Sequence, residues 1–326
     1  MTLNVTIKCE NGIVLAADSR QVHYHANGSA IARKVDKIST FEEPYNNIGV
    51  LICGDLSLMS QSSWPPRLVY SIATWITSFR ERALRTTDPQ TTLSVDGFTT
   101  LLKEFLTQRW DSSRSERLEE AAKLGLGQRE DGTSSAGPLS IIVTVAGFDE
   151  GNPLGHVFPF VLTDREPPDD VNCSGRDRNL DPVRSPGGIL ILGMPEFTIN
   201  VLRSQDFLAE FLMHPERPIL EGYEEIDDSN TTFRIRRLKQ VIPQIQEFKR
   251  RFNIQNQEGF TFSSDPMNIE DAKNLAKLLV YGTSWYSKGL VGNEIKICII
   301  KPHLGIECEW IDLMSHPFRL RIKRNR

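Results

Sequence analysis

The chain contains no C-x-x-C pair, and its five cysteines, Cys9, Cys53, Cys173, Cys298 and Cys308, are odd in number. Such usage argues against a structural zinc site and a disulfide framework, so free, mostly buried thiols are expected. No stretch approaches the ~18 uninterrupted apolar residues of a spanning helix. The opening Met1-Thr-Leu-Asn-Val-Thr-Ile-Lys8 lacks the basic-then-apolar order of a secretory signal. The reading is a cytoplasmic protein without a membrane partner. An excess of positive charge is missing too, because 38 Lys+Arg against 42 Asp+Glu leaves −4. Without a global positive field, nucleic acid is not an expected partner. Also absent are Gly-x-Ser-x-Gly, Gly-x-x-x-x-Gly-Lys-Ser/Thr, Gly-x-Gly-x-x-Gly and His-Glu-x-x-His, each of which would have carried its own chemistry.

What is present is apolar material for a large core: 39% hydrophobic and 25% charged residues over 326 positions. By the ~150-residue prior this length fits two domains or one layered domain with insertions, and the single domain over 1–326 is the expectation. Val5 and Ile7 alternate with polar neighbours, Asn11-Gly12 is a hairpin signal, and Ile13 to Ala17 is a short buried run. A second hairpin is expected around Asn27-Gly28, and a further strand from Ile48 to Cys53 ending at Gly54. Leu68, Ile72, Trp75, Ile76 and Phe79 recur at helical spacing, as do Phe98, Leu101, Leu102 and Phe105.

Strands resume at Ser140–Gly147 and Gly155–Leu162, and again at Ile189–Leu192 before a helical segment at Val201–Leu212. Amphipathic helices are predicted over Phe233–Phe252, with Pro243 as a kink, and from Asn268 onward; the last strands are Glu294–Ile300 and Gly305–Ile311. Alternating Phe318, Leu320 and Ile322 read as an edge strand. The order strands, helices, strands, helices, strands predicts the α+β class, with two mixed sheets and outer helices in a four-layer αββα sandwich.

His23 and His25 have a spacing that can bind metal, but no third ligand accompanies them, so no metal is assigned. Thr2 offers more. Removal of Met1 leaves a free α-amine beside a hydroxyl, and an amine with pKa near ~8 can take the hydroxyl's proton at neutral pH. Nucleophile and base then belong to one residue.

The residues around Thr2 sharpen this. Thr2-Leu-Asn-Val-Thr-Ile-Lys8, Asn11-Gly-Ile-Val-Leu-Ala-Ala-Asp18-Ser-Arg20, Lys37-Ile38 and Ile52-Cys-Gly54-Asp55 resemble the opening of proteasome β-type subunits and the related bacterial HslV peptidase. The similarity resumes at Ile141–Gly151 and Ile189–Gly193 and returns between Asp271 and Ile300, with 111–138, 165–188 and 213–265 standing out as insertions or divergent elements. The resemblance implies an N-terminal-nucleophile hydrolase. It makes Thr2 the nucleophile, Asp18 the carboxylate that holds a lysine, Gly54 the oxyanion donor through its backbone N–H, and Ser287 a hydrogen-bond partner of the α-amine. It makes Lys37 the lysine, because the Lys-Ile strand pattern is kept, although counting from Thr2 without gaps selects Lys34.

Two positions depart from the pattern. Gly193-Met194-Pro195 stands where the family has Gly-Ser-Gly, and Ser284-Trp-Tyr-Ser287 where it has Asp-x-x-Ser. The implied function is a threonine-type peptidase acting on peptide or unfolded protein, without cofactor or metal, in a homo-oligomeric ring fed by an ATP-dependent unfoldase. A catalytically silent ring subunit and an amidase for small amides are the rival readings. Asp18 with Arg20 as a plain hairpin ion pair, and Lys37 as a solvated strand charge, are the corresponding local alternatives.

Overall fold

The structure, a computed structural model, describes residues 3–24, 30–54, 56–59, 68–84, 92–123, 139–164, 187–193, 196–203, 228–256, 260–262, 267–286 and 294–312. Alternation in the first strand, β1 (Leu3–Cys9), separates two faces: Leu3, Val5, Ile7 and Cys9 enter one apolar core, and Asn4, Thr6 and Lys8 take the opposite side. The chain turns at Glu10 and Asn11 into β2 (Gly12–Asp18), as the hairpin signal predicts, with Ile7 opposite Val14 and Asn4 opposite Ala17.

The remaining strands are β3 (Arg20–Tyr24), β4 (Ala30–Lys34), β5 (Ile38–Thr40), β6 (Ile48–Gly54), β7 (Ser57–Met59), β8 (Leu68–Ser71), β9 (Ser140–Gly147), β10 (His156–Thr163), β11 (Gly188–Gly193), β12 (Ile254–Asn256), β13 (Phe260–Phe262), β14 (Glu294–Lys301) and β15 (Gly305–Asp312). The helices are α1 (Ile72–Ser78, continued by a π-helical turn over Phe79–Ala83), α2 (Val95–Ser112), α3 (Arg114–Lys123), α4 (Glu196–Arg203), α5 (Asp228–Arg251) and α6 (Ile269–Tyr286).

A seven-stranded sheet runs β12-β13-β11-β1-β2-β14-β15, and a four-stranded sheet runs β10-β9-β6-β5. Three cores account for the burial. One joins β1, Val14, Ala16, Ile189, Ile191, Ile295 and Ile297 to Leu238, Val241 and Ile245 of α5 and Leu275 and Leu279 of α6. A second joins Val50 and Ile52, Val143 and Val145 to Ile76 of α1 and Phe98, Leu102 and Leu106 of α2. The third is shared by the sheets: Ile13, Leu15, Leu192 and Ile300 from the larger meet Ile38, Leu51 and Ala146 from the smaller. Each Val, Leu, Ile or Phe side chain among these removed from water stabilises the fold by roughly 1.5–3 kcal/mol. α5 and α6 thus share a core with β1, and α1 and α2 share one with β6 and β9.

Several expectations need correction. Both sheets are antiparallel rather than mixed: every strand pairing among the described residues in them runs antiparallel, both between consecutive strands and between strands distant in the chain such as β1 and β11, β2 and β14, and β6 and β9. Leu68 is not helical. It sits in β8 against β7, and α1 starts only at Ile72 because the Ser71 side chain accepts a 3.4 Å hydrogen bond from Thr74 N and so caps it. The segment 111–138, set apart above as an insertion, opens with the end of α2 and all of α3, and its residues 124–138 lie outside the described residues. The helix near residue 201 begins earlier, at Glu196. The helix expected over Phe233–Phe252 begins earlier, at Asp228, and holds Pro243 on its exposed side. The edge strand at 318–322, the long segment 165–186 and the Asn27-Gly28 turn lie outside the described residues.

The thiols are corrected in part. Cys9 and Cys53 are buried and in no disulfide, but Cys298 and Cys308 form one. They face each other across the β14–β15 hairpin with Cα atoms 4.1 Å apart, so the turn brings them together whatever their spacing along the chain. Cys173 lies outside the described residues.

Candidate active site

Asp18 closes β2, whose neighbours β1 and β14 hydrogen-bond it on both sides. Its carboxylate gathers three donors. Leu3 N donates to Oδ1 at 2.9 Å, Arg20 N to Oδ2 at 2.9 Å, and Lys37 Nζ to Oδ1 at 2.7 Å. Lys37 Nζ also donates to the Arg20 carbonyl oxygen at 2.6 Å. Both charged side chains are fully buried. Burial of an ion is costly unless hydrogen bonds satisfy it, and here two backbone N–H groups and one backbone carbonyl supply them.

Burial pushes the Lys37 ammonium below the ordinary lysine value, while the charge and hydrogen bond of Asp18, and more weakly Cys53, pull it back upward. Loss of solvent outweighs the partner, so Lys37 gives up its proton more readily than a surface lysine. The Cys9 thiol is pushed up to about 12 by burial, which leaves it a packing residue.

Lys34, the alternative in the ungapped count, takes no part. It pairs with Glu294 at the surface and lies 4.9 Å from the Trp310 ring centroid. The turn over Val35, Asp36 and Lys37 is what separates the two lysines. Val35 N donates to the Ser19 carbonyl at 2.7 Å, and Ile52 N donates to the Lys37 carbonyl at 2.9 Å. Only Lys37 is thereby aimed at Asp18.

Gly54 ends β6 opposite Ile141, with a φ of +109°. A Cβ there would collide with the Ser140 carbonyl oxygen, so both backbone conformation and space require glycine. Asn4 Nδ2 donates to the Ile52 carbonyl at 2.7 Å, tying β1 to β6 two residues before Gly54. Thr2 and Ser287 lie outside the described residues, as do Met194, Pro195 and His25. Ser284 is buried in the last turns of α6. Beside it, Thr283 Oγ1 donates to the Leu279 carbonyl at 2.8 Å and meets Thr198 Oγ1 of α4 at 3.1 Å.

Sequence reasoning did not anticipate the Arg20 carbonyl as a lysine acceptor, nor the pairing of Asp36 with Lys296 at 2.6 Å. Neither had a signal, since a main-chain acceptor has no residue signature and the ion pair joins distant parts of the chain. Among the described residues no group of three or more His, Cys, Asp or Glu side chains is placed to hold a metal ion, and no helix is long and apolar enough to cross a membrane.

No protein-family model matches the chain, and no curated protein matches it. Among solved structures, the chain is similar to a mutant of Anbu from Hyphomicrobium sp. strain MC1, at 11% identity and a TM-score of 0.46, over 96% of this chain and 88% of that one. It is also similar to Anbu from Yersinia bercovieri, described as an ancestral beta-subunit, at 10% identity and a TM-score of 0.43, over 92% and 81%.

Proposed function

We propose that this chain is a threonine-type amide hydrolase of the proteasome-like N-terminal-nucleophile class, most naturally a peptidase. In this reading it is one αββα four-layer domain, and it assembles into a homo-oligomeric ring that receives unfolded chain. The observation that carries the proposal is the buried Asp18–Lys37 pair, reached by the backbone N–H of Leu3, the atom covalently joined to residue 2.

In the proposed reaction, Thr2 is freed at its α-amine by removal of Met1. The amine accepts the Thr2 hydroxyl proton as Oγ1 attacks the substrate carbonyl carbon. Lys37 lowers the cost of negative charge on that oxygen and favours the neutral amine, and Asp18 fixes Lys37 in place. The Gly54 N–H receives the oxyanion, a role that suits a residue whose missing side chain lets a carbonyl approach. Collapse breaks the C–N bond as the α-ammonium returns its proton to the leaving nitrogen, which expels the amine product and leaves an ester on Thr2; the α-amine, neutral again, then takes a proton from water as that water attacks the ester, and the acid product and the Thr2 hydroxyl are released. Ser287 serves as a hydrogen-bond partner of the α-amine.

One observation favours a ring subunit without turnover. Ser284 stands where the resemblance calls for a carboxylate, and it is only 3% exposed. Intact mass after treatment with a β-lactone or epoxyketone separates the readings. A hydrolase is expected to have lost Met1 and to gain one adduct on Thr2. A protein that keeps Met1, takes no adduct and cleaves no amide is the silent subunit.

A further inference from the structure

We infer that Lys296 is a positioning residue for Lys37, acting through Asp36 and the turn that delivers Lys37 to Asp18. The inference rests on the role proposed for Lys37 above. Lys296 belongs to β14 of the larger sheet, on the face shared with Cys298 and Ile300, yet its Nζ reaches the turn before β5 of the smaller sheet. There it donates to Asp36 Oδ2 at 2.6 Å and to the Ile38 carbonyl at 2.9 Å, while Asp36 Oδ1 accepts from Ile38 N at 3.0 Å. The residues before and after Lys37 are thus clamped by one ammonium from the opposite sheet.

The geometry is more specific than a strut between sheets requires. The Lys296 side chain is 11% exposed and that of Asp36 49%. An ion pair half open to water contributes little to stability, but this one fixes the backbone on both sides of the lysine. Lys37 donates to Asp18 of β2 and Asp36 accepts from Lys296 of β14, so the turn offers one ammonium and one carboxylate, each paired with the opposite charge on the larger sheet. A displacement of the turn moves Lys37 Nζ relative to Asp18 Oδ1 and the Arg20 carbonyl, and a misplacement of about 1 Å can cost about 100-fold in rate.

Among the described residues, the charged or titratable groups that act on Lys37 or on its turn include Asp18 from β2, Cys53 from β6, and Asp36 with Lys296 across the turn. This makes the test directional. If Lys296 and Asp36 acted on Lys37 only through their charges, K296M would raise its titration midpoint and D36N would lower it. If they hold the turn, both variants loosen it and admit water to Lys37. Both then move the midpoint the same way, upward, because burial is the largest cause of its depression.

The experiment follows Lys37 in the full-length protein by NMR of lysine labelled at Cε, in wild type, K296M and D36N, alongside steady-state peptide hydrolysis. Expected are upward midpoints in both variants, with kcat lower by about 10-fold to 100-fold at unchanged KM. Should K296M fail to fold, D36N, nearly isosteric at a half-exposed site, decides alone. A Lys37 midpoint that falls or stays fixed in D36N overturns the inference. If wild-type protein hydrolyses no amide, the proposed activity fails while the NMR arm still decides the positioning role.

Discussion

Lys37 Nζ lies 2.7 Å from Asp18 Oδ1 with both side chains fully buried, and this pair joins a turn of the smaller sheet's edge to the end of a central strand of the larger sheet. Removing one partner strands a charge in the interior. K37M and D18N are each expected to destabilise the fold by about 3–5 kcal/mol. The double variant should cost less than the two losses added together, by about 1–3 kcal/mol, because the second substitution removes the stranded group. Urea unfolding of the four proteins measures this. Additivity within about 0.5 kcal/mol would mean that the two groups are not coupled.

The depressed Lys37 pKa fixes the sign of a pH effect. If the ammonium is the working form, activity falls on the alkaline side at a pH below 10.5, the ordinary lysine value. Asp18 opposes the depression, so D18N should move that limb to still lower pH in whatever activity survives. The kcat profile between neutral and alkaline pH, with folding followed by circular dichroism, measures both. K34A should leave the profile unchanged, since Lys34 pairs with Glu294 at the surface. A K34A protein as inactive as K37A would move the lysine role by three positions.

Much of this arrangement was legible in the residues. Asn11-Gly12 marked the first hairpin, the spacing of Phe98, Leu102 and Phe105 marked α2, and the apolar runs at 140–147 and 189–192 marked β9 and β11. The choice of Lys37 over Lys34 came from the resemblance, whose Lys-Ile pattern is kept at Lys37-Ile38; Lys37 is the lysine that reaches Asp18, and Lys34 pairs with Glu294. Local pattern failed where a decision depends on distant partners. Leu68 fits a helical period with Ile72 and Ile76, but β7 claims it for a hairpin. Cys298 and Cys308 looked like unrelated thiols, though equal distances from a turn near His303 set them opposite each other. Asp36 and Lys296 are 260 residues apart, and nothing in either neighbourhood announces the other.

A second buried ion pair allows a prediction unrelated to the site. Arg117 of α3 pairs with Asp164, just beyond β10, and both side chains are almost fully buried. The guanidinium also stacks 3.6 Å from the Trp110 ring centroid and donates to the Trp110 carbonyl and, at 2.5 Å, to Ser113 Oγ. R117M leaves Asp164 without its counter-charge and should cost about 3–5 kcal/mol. R117K keeps the charge but loses the fork geometry and the ring stacking, so it should recover only part of the loss. Denaturation midpoints rank the three proteins. Equal midpoints for R117K and wild type would assign the stabilisation to charge alone.

Gly54 gives the sharpest separation of site from scaffold. Its φ of +109° lies where residues with a Cβ are strained by about 1–3 kcal/mol, and the added methyl would meet the Ser140 carbonyl oxygen, a main-chain atom held in β9. G54A should therefore shift the β6–β9 backbone and lose a few kcal/mol of stability. If its N–H also receives the oxyanion, the same shift moves a donor out of the 2.7–3.1 Å range that catalysis requires, which costs about 100-fold to 1,000-fold in kcat. The two effects differ in their readouts. Stability is read from the denaturation midpoint and chemistry from turnover, and G54A is expected to lose both. Single-turnover kinetics on protein verified as folded then isolates the chemical step. A folded G54A enzyme with undiminished kcat would remove Gly54 from the reaction and leave it only the turn.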